Sequence, residues 1–241
     1  MTVKRIAMWS GPRNISTAMM RAWENRNDTF VTDEPFYACY LNHTGIEHPG
    51  RAEILANQST HWEVVIDDCL SLTQDQCAIH YQKHMTQHML PHLRLDWLDK
   101  LVNVFLIRSP AEVIASYSQA RPDLTAEDIG FAQQHRLYQH VKQHVHSQPL
   151  VMSSKQVLSD PAAALKKICR YCEVEFTDTM LQWPAGSRDS DGIWAPYWYS
   201  NVEQSTGFAP YQQKNITLDN NQQRIAERCE PYYQAMLELS N

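Results

Sequence analysis

The stretch IAMWSGPRNISTAMMRAWENR, residues 6–26, indicates the fold of this chain. A short apolar run ends at Trp9, Ser10, Gly11 and Pro12 follow, and apolar residues then recur at helical spacing. A strand, a turn and a helix in this order form the loop with which many proteins hold phosphate. Backbone N–H groups at a helix start are unpaired, and the helix dipole favours an anion there. The stretch therefore predicts an anion-binding loop behind a first strand.

The residues predicted to form this loop are Gly11, Pro12, Arg13, Asn14, Ile15, Ser16 and Thr17. Ser16 and Thr17 offer hydroxyl donors, and Arg13 offers a permanent charge with a forked donor set suited to oxyanions. The loop of nucleotide triphosphatases, G-x-x-x-x-G-K-[ST], also needs a lysine, which is missing here. Taken alone, the stretch is equally typical of an ordinary strand-to-helix turn.

Predicted strands alternate with predicted helices along the rest of the chain. The strands are residues 3–9, 29–32, a stretch ending near 83, 101–107 and 149–154, and the main helices are 15–25, 110–120, 125–146, 161–172 and 220–239. This alternation predicts an α/β fold with a central parallel sheet flanked by helices. Ligands bind such sheets beyond the carboxyl ends of the strands. The turns after residues 9, 32, 81 and 107 should therefore share one edge.

A second turn strengthens the anion hypothesis. In FLIRSPAEVIASYSQ, Arg108 directly follows a buried strand, and Ser116 lies eight residues later on the next helix. An arginine and a serine so placed can hold one phosphate from two sides. The alternative is that Arg108 pairs with a nearby carboxylate such as Glu112.

Both turns resemble motifs of the sulfotransferase family. PRNISTAMMRA is similar to the P-R-S-G-T-T loop that holds the 5′-phosphosulfate, and RSPAEVIASY is similar to the R-x-P-x-x-x-x-x-S segment that binds the 3′-phosphate. DPAAALKKICRYCEVEFTDTML resembles a further segment of that family. TDEPFYA, YQKHM, DGIWAPYWY and EQSTGF are similar to a branch that plants fuse to branched-chain aminotransferase-like sequences. No lysine here is marked for pyridoxal phosphate, so no aminotransferase activity is implied.

The resemblance implies a three-layer fold of the P-loop NTPase-like class, formed as one domain by residues 1–241. It implies 3′-phosphoadenosine 5′-phosphosulfate as co-substrate, with no metal required. Ile15 replaces the loop glycine of the family, and because a β-branched residue does not readily adopt positive φ, we expect a different backbone there. The family's C-terminal R-K-G is missing, and we expect Arg188, or Ser205 and Thr206, to take its place.

The catalytic candidates follow from the chemistry of the transfer. Arg13 would stabilise charge on the leaving phosphate, and the resemblance implies that Glu34 is the general base. Lys83 should enter the same edge of the sheet and contact the sulfuryl group or an acidic acceptor. His84 is the rival base. The alternative for Asp33 and Glu34 is that they cap or salt-bridge a loop.

Two further segments carry open alternatives. The side chains of His80, His84, His88 and His92 recur every fourth residue and would line a metal-binding face on a continuous helix, but Pro91 interrupts the pattern. The aromatic segment, residues 184–215, is predicted to be a loop that serves as a lid or substrate wall, or else wraps the sheet edge. Residues 219–239 form the closing helix.

Composition excludes several classes of protein. The formal charge of −6 argues against non-specific binding to nucleic acid. No apolar run approaches the roughly 20 residues of a membrane span, and the first apolar run is too short for a signal peptide. The six scattered cysteines are typical of reduced core thiols, so we expect a cytoplasmic protein.

The predicted function is sulfuryl transfer from the adenylyl donor to a hydroxyl of a small molecule. One alternative is a nucleotide-dependent kinase, against which the missing loop lysine argues. The other is a binding protein that holds an adenine nucleotide without turnover, which Ile15 and the incomplete 3′-phosphate site favour.

Overall fold

The computed structural model describes residues 3–240, in which five parallel strands form a sheet of order β2-β3-β1-β4-β5. The strands are β1 (Lys4–Ser10), β2 (Thr29–Asp33), β3 (Ile79–Met85), β4 (Val102–Ile107) and β5 (Leu150–Ser153). The predicted α/β fold with a parallel sheet flanked by helices is confirmed.

Helices occupy the connections between the strands and the part of the chain after β5. They are α1 (Ser16–Glu24), α2 (Tyr37–Thr44), α3 (Arg51–Asn57), α4 (Trp62–Ser71), α5 (Pro110–Tyr117), α6 (Phe131–His144), α7 (Ser154–Ser159), α8 (Pro161–Tyr171), α9 (Ala195–Trp198), α10 (Ser200–Glu203) and α11 (Asn220–Leu237). None of the helices described within residues 3–240 has the length and apolar character needed to cross a membrane.

Side chains of β1 point alternately to the two faces of the sheet, and each set belongs to a different core layer. Ile6 and Met8 are fully buried on one face of the sheet, in a cluster with Trp23 of α1. Ala7 and Trp9 are fully buried on the other face, in a cluster with Tyr138 of α6 and residues of α4 and α11. Because β1 is central and both its faces are covered, its sequence is a continuous apolar run.

The carboxyl ends of the strands meet at one edge, as the sequence predicted. Ser10 of β1 pairs with Met85 of β3 and Leu106 of β4, and Asp33 of β2 pairs with Lys83 of β3. This register places the loop after β1 between the ends of β3 and β4, with the end of β2 one strand further on.

The largest difference from the prediction concerns the polar helix expected over residues 125–146. The helix begins only at Phe131, because Thr125 and Asp128 form a hydrogen-bonded turn and Gly130 adopts a left-handed φ of 71°. A Cβ at Gly130 would lie 2.6 Å from the Thr86 hydroxyl, so the close approach of these segments requires glycine. α5 also ends earlier than expected, at Tyr117, and α11 continues through Pro231.

Candidate active site

A cavity of about 760 Å³ lies at the carboxyl edge of the sheet. One part of its wall consists of residues 12–18 of the loop after β1, together with Arg108, Glu112 and Ser116. Another part consists of Glu34, Lys83 and aromatic residues, and residues 205 and 207–209 with 214–217 close a further side. The two motifs that the sequence singled out therefore open into the same space.

The loop after β1 keeps a left-handed backbone in spite of its side chains. Arg13 has a φ of 57° and Ile15 a φ of 50°. The expectation that Ile15 would change the backbone is wrong, because its side chain packs against the core cluster below the loop. That packing offsets a conformational cost of about 1–2 kcal/mol for a left-handed non-glycine residue.

The N-terminus of α1 is open towards the cavity. Ile15 precedes the helix and provides no side-chain cap. The first backbone N–H groups of α1 therefore have no intrahelical acceptor and are available to an anion, alongside the Ser16 and Thr17 side chains. Asn14 is buried, and its Nδ2 donates to the Leu106 carbonyl at 2.7 Å, which ties the loop to β4.

Two guanidinium groups lie side by side above this helix start. Arg13 Nε donates to Ser116 Oγ at 3.0 Å, and Arg108 Nη1 donates to the Arg13 carbonyl at 2.6 Å. Burial and the charge of Arg108 lower the pKa of Arg13. Glu112 Oε2 lies 3.6 Å from Arg108 Nε, so the alternative pairing is also present. Two cations face one carboxylate here, which leaves a positive charge for a bound anion.

A buried polar network occupies the ends of β2 and β3. The Lys83 ammonium donates to Asp33 Oδ1 at 2.8 Å, to Glu34 Oε1 at 2.5 Å and to the Tyr199 hydroxyl at 2.7 Å. Tyr199 in turn donates to Asp33 Oδ2 at 2.6 Å, and it accepts from Trp194 Nε1 at 3.2 Å. Because an ammonium has three N–H donors, Lys83 has none left for another partner.

Glu34 is the member of this network with an unusual backbone and an unusual acidity. Its φ is 41°, again in the left-handed region, and its side chain is about 11% exposed, at the cavity wall. Burial raises the pKa of Glu34 to about 6, while Lys83 lowers it and Asp33 raises it. This carboxyl is therefore ionised at neutral pH and titrates just below it.

His84 lies on the opposite face of the sheet from Lys83. Its ring stacks on Trp9 with centroids 4.3 Å apart, and its Nε2 is 2.9 Å from Gln82 Oε1. Burial lowers the pKa of His84 to about 3. Within the described residues it is not part of the cavity wall, because successive residues of a strand point to opposite faces.

The replacements expected for the missing R-K-G motif are only partly at the cavity. Ser205 lines it, whereas Arg188 donates to the Pro184 carbonyl at 2.8 Å and lies beside Glu24. Over the described range, neither Arg188 nor Thr206 belongs to the wall, and the same holds for Gly11. Gly11 acts as a spacer instead, because a Cβ there would lie 2.8 Å from the Ile129 carbonyl oxygen.

The aromatic segment is more ordered than a loop. It contains α9 and α10, and its start is fixed by Arg21, whose Nη2 donates to Asp191 Oδ2 at 2.7 Å. Trp198 and Tyr199 from this segment reach the cavity wall.

The histidines at positions 80–92 do not share a helix face. His80 and His84 belong to β3, and His88 ends a single 3₁₀ turn, Thr86–His88. Among residues 3–240 no group of three histidine, cysteine, aspartate or glutamate side chains has a metal-binding arrangement.

Sequence reasoning missed several residues of the wall, among them Tyr37, His48, Gln87, Tyr117 and Lys214. Lys214 adds a third cation near residues 205–217. No local pattern marks these residues, since only the folded chain brings them to the cavity. Tyr199, by contrast, belongs to the aromatic segment that the sequence predicted as a lid or substrate wall.

A parallel sheet whose first strand runs into an open helix start, with two arginines above it, defines a phosphate-loop α/β protein. The chain belongs to the sulfotransferase domain family, whose family model matches residues 4–239. The resemblance of the chain to this family is confirmed.

Relatives and solved structures agree with this assignment. The chain is 32% identical over 228 residues to Branched-chain-amino-acid aminotransferase-like protein 1 of Arabidopsis thaliana and 30% identical to protein 2 of that name. Each match covers 95% of this chain and 40% of the relative, so the chain spans about two fifths of the length of these relatives. The resemblance to the plant branch is thereby confirmed.

The solved structures show the shared fold. The sulfotransferase domain of the Synechococcus PCC 7002 olefin synthase is 14% identical, with a TM-score of 0.55 and 95% of both chains covered. A sulfotransferase from Alicyclobacillus acidocaldarius is 9% identical, with a TM-score of 0.56, and 100% of this chain and 96% of that one are covered.

Proposed function

We propose that this chain transfers a sulfuryl group from 3′-phosphoadenosine 5′-phosphosulfate to a hydroxyl of a small molecule. The observation that carries the proposal is that the open start of α1 and the ionisable Glu34 face one cavity. An anion site and a general base that face one cavity are what an in-line displacement at sulfur needs.

The donor would lie along the loop and the two arginines. The backbone N–H groups at the start of α1, Arg13, Ser16 and Thr17 would hold the phosphosulfate. Arg108 and Ser116 would hold the 3′-phosphate, and Lys214 and Ser205, which also line the cavity, would take the place of the missing family motif. The charge set fits a multiply anionic ligand, because Glu112 balances one of three cations.

The reaction has a simple balance. The acceptor oxygen forms a bond to sulfur, the bond between sulfur and the phosphate oxygen breaks, and adenosine 3′,5′-bisphosphate leaves. The acceptor proton passes to Glu34, whose pKa of about 6 keeps it ionised yet basic at neutral pH. Arg13 and the loop N–H groups stabilise the charge on the leaving phosphate.

Lys83 positions Glu34 in this proposal and does not contact the sulfuryl group. Its three donors are bound to Asp33, Glu34 and Tyr199, and its side chain is about 1% exposed. It fixes one carboxylate oxygen of Glu34, so that the other oxygen is free for the acceptor. In this proposal His84 does not take the acceptor proton, since it lies on the other face of the sheet.

Ligand choice tests the proposal first. Adenosine 3′,5′-bisphosphate at 100 times its Kd should stabilise the protein by about 2.7 kcal/mol without magnesium. For a chain of this size that is a rise of roughly 5–10 °C in Tm. Protection by Mg²⁺–ATP alone would establish the kinase alternative instead.

Turnover tests it second. Radiolabelled donor should transfer its sulfuryl group to at least one member of a panel of alcohols and phenols. Tight bisphosphate binding without transfer to any panel member would favour the nucleotide-binding alternative.

A further inference from the structure

His88 occupies a place in the cavity that the proposed reaction has not yet used. Its ring is stacked between Tyr37 and Tyr40, with centroids 4.8 and 4.9 Å away, and it is about 2% exposed. It lines the cavity, and its Nε2 lies 4.0 Å from Glu34 Oε2. That carboxylate oxygen is the one that Lys83 leaves free.

The protonation of His88 follows from its surroundings. Burial, reinforced by His48, Lys83 and His84, lowers the pKa of His88 well below its usual range, so the ring is neutral. A neutral imidazole has one N–H and one lone pair. Nδ1 is buried and has no hydrogen-bond partner among the described residues. A buried unmatched lone pair is more tolerable than a buried unmatched N–H, so the proton belongs on Nε2, towards Glu34.

The gap between these two groups has the size of one oxygen atom. A separation of 4.0 Å is too long for a direct hydrogen bond. An oxygen placed about 2.7 Å from Glu34 Oε2 and about 2.9 Å from His88 Nε2 satisfies both, with roughly 90° between the two bonds. A hydroxyl is the group that can accept one of these bonds and donate the other.

We propose that the reacting hydroxyl of the acceptor binds between His88 and Glu34, and that the acceptor is an uncharged alcohol. His88 Nε2–H donates to the hydroxyl oxygen, and Glu34 Oε2 accepts the hydroxyl proton. His88 is then a residue that contacts substrate and orients the oxygen for attack. This inference rests on the proposed function.

The charges around this position disfavour an ionised acceptor. The Lys83 ammonium is saturated, and the neighbouring histidines His48 and His88 are neutral because burial lowers their pKa. An anionic acceptor would meet the Glu34 carboxylate, and the ammonium beside that carboxylate already binds Asp33, Glu34 and Tyr199. An ammonium group would lower the pKa of Glu34 and weaken it as a base. Aromatic rings such as those of Tyr37 and Trp198 also line the cavity, and they suit an apolar skeleton.

A binding experiment tests the site without turnover. Cyclohexanol, cyclohexanecarboxylate and cyclohexylammonium share one ring and differ in charge. In ligand-observed NMR with the protein saturated by adenosine 3′,5′-bisphosphate, cyclohexanol should bind at least about tenfold more tightly than either ion. Equal or tighter binding of an ion, or no binding of the alcohol, would overturn the inference.

Variants of His88 test whether its Nε2–H donates a hydrogen bond to the alcohol. His88→Phe should weaken cyclohexanol about tenfold, the worth of one hydrogen bond, whereas His88→Gln, which keeps an N–H, should recover part of the loss. The exposed His92 provides the matched control, and His92→Phe should leave binding unchanged. Unchanged bisphosphate affinity in all three variants shows that the fold is intact. An unaltered affinity for cyclohexanol in His88→Phe would overturn the role of His88.

Kinetic measurements distinguish two roles of His88, that of a hydrogen-bond donor and that of a general base. For an acceptor that turns over, His88→Phe should lower kcat/KM by roughly 10- to 100-fold. The pH–rate profile of the variant should keep its acidic limb near pH 6, because that limb reports the ionisation of Glu34. Besides His88 itself, the charged and titratable groups around Glu34 are Lys83, Asp33, Tyr37, Tyr117 and Tyr199, and the substitution changes none of these five. Loss of the acidic limb in this variant would make His88 the base. If no acceptor turns over, the proposed function fails, while the NMR result still decides whether an alcohol binds here.

Discussion

Replacing Glu34 by glutamine should slow sulfuryl transfer and also raise the stability of the protein at neutral pH. Burial holds the pKa of Glu34 at about 6, compared with 4.5 for the free side chain. The native state therefore binds this proton more tightly than the unfolded chain does. The stability contribution of the group is fully present below pH 4.5, and it is lost as the pH rises through 6. A difference of about 1.5 pH units corresponds to about 2 kcal/mol of unfolding free energy at pH 7.5.

Glu34→Gln mimics the protonated carboxyl and removes this cost. We expect its unfolding free energy at pH 7.5 to rise by about 2 kcal/mol, or roughly 4–8 °C in Tm. At pH 4 the gain should vanish, because the wild-type carboxyl is then protonated in both states. Transfer should slow by roughly 10²–10⁴-fold, the usual contribution of a general base, with bisphosphate affinity unchanged.

The measurements are chemical denaturation at pH 7.5 and at pH 4, calorimetry with the bisphosphate, and initial rates of transfer. Asp33→Asn is the matched control, because it removes a neighbouring charge and leaves Glu34 in place. It should slow transfer much less. A Glu34→Gln protein that is less stable at pH 7.5 would show that the ion pair with Lys83 outweighs burial. Unchanged turnover would refute the assignment of Glu34 as base.

Three further substitutions test the donor site and the aromatic segment. Arg108→Ala should weaken adenosine 3′,5′-bisphosphate roughly 10- to 150-fold, from a charge-assisted bond of about 1.5–3 kcal/mol, and adenosine 5′-phosphosulfate much less; calorimetry that finds equal losses would assign Arg108 to support of the loop. Arg21→Met leaves Asp191 buried without its cation and should cost about 3–5 kcal/mol in denaturant unfolding, a loss that a value below 1 kcal/mol would contradict. Gly192→Ala places a Cβ 2.1 Å from the Trp194 ring, so limited proteolysis should cut the aromatic segment faster than in the wild type, and an equal rate would refute this.

The parts of the site that the sequence predicted are those that stand on local patterns. The loop from Gly11 to Thr17 and the pair Arg108 and Ser116 each lie within one strand-turn-helix unit, and the apolar runs before them fix the end of a strand. Because carboxyl ends of parallel strands meet at one edge, local patterns were sufficient to predict that both turns lie close together.

The parts that could not be predicted depend on which face of a strand a side chain occupies and on contacts between residues far apart in the sequence. The sequence does not show on which face of β3 each side chain lies, so Lys83 and His84 were both expected at the site. Residues Asp33 and Tyr199 are 166 positions apart, and their hydrogen bond exists only after the aromatic segment has folded back. The backbone at Ile15 was misjudged because the packing of its side chain against the core is also a tertiary effect.

The central place of β1 in the sheet has a consequence for how the chain acquires its fold. β1 obtains a hydrogen-bonded neighbour only after residues 79–85 have been synthesised, and its second neighbour after residues 102–107. Until then, the apolar run of β1 and the phosphate loop that follows it have no neighbouring strand to pair with. Loop closure over such separations is slow, and an unpaired apolar strand is prone to aggregate. During synthesis this apolar segment therefore stays unpaired until β3 is available to it.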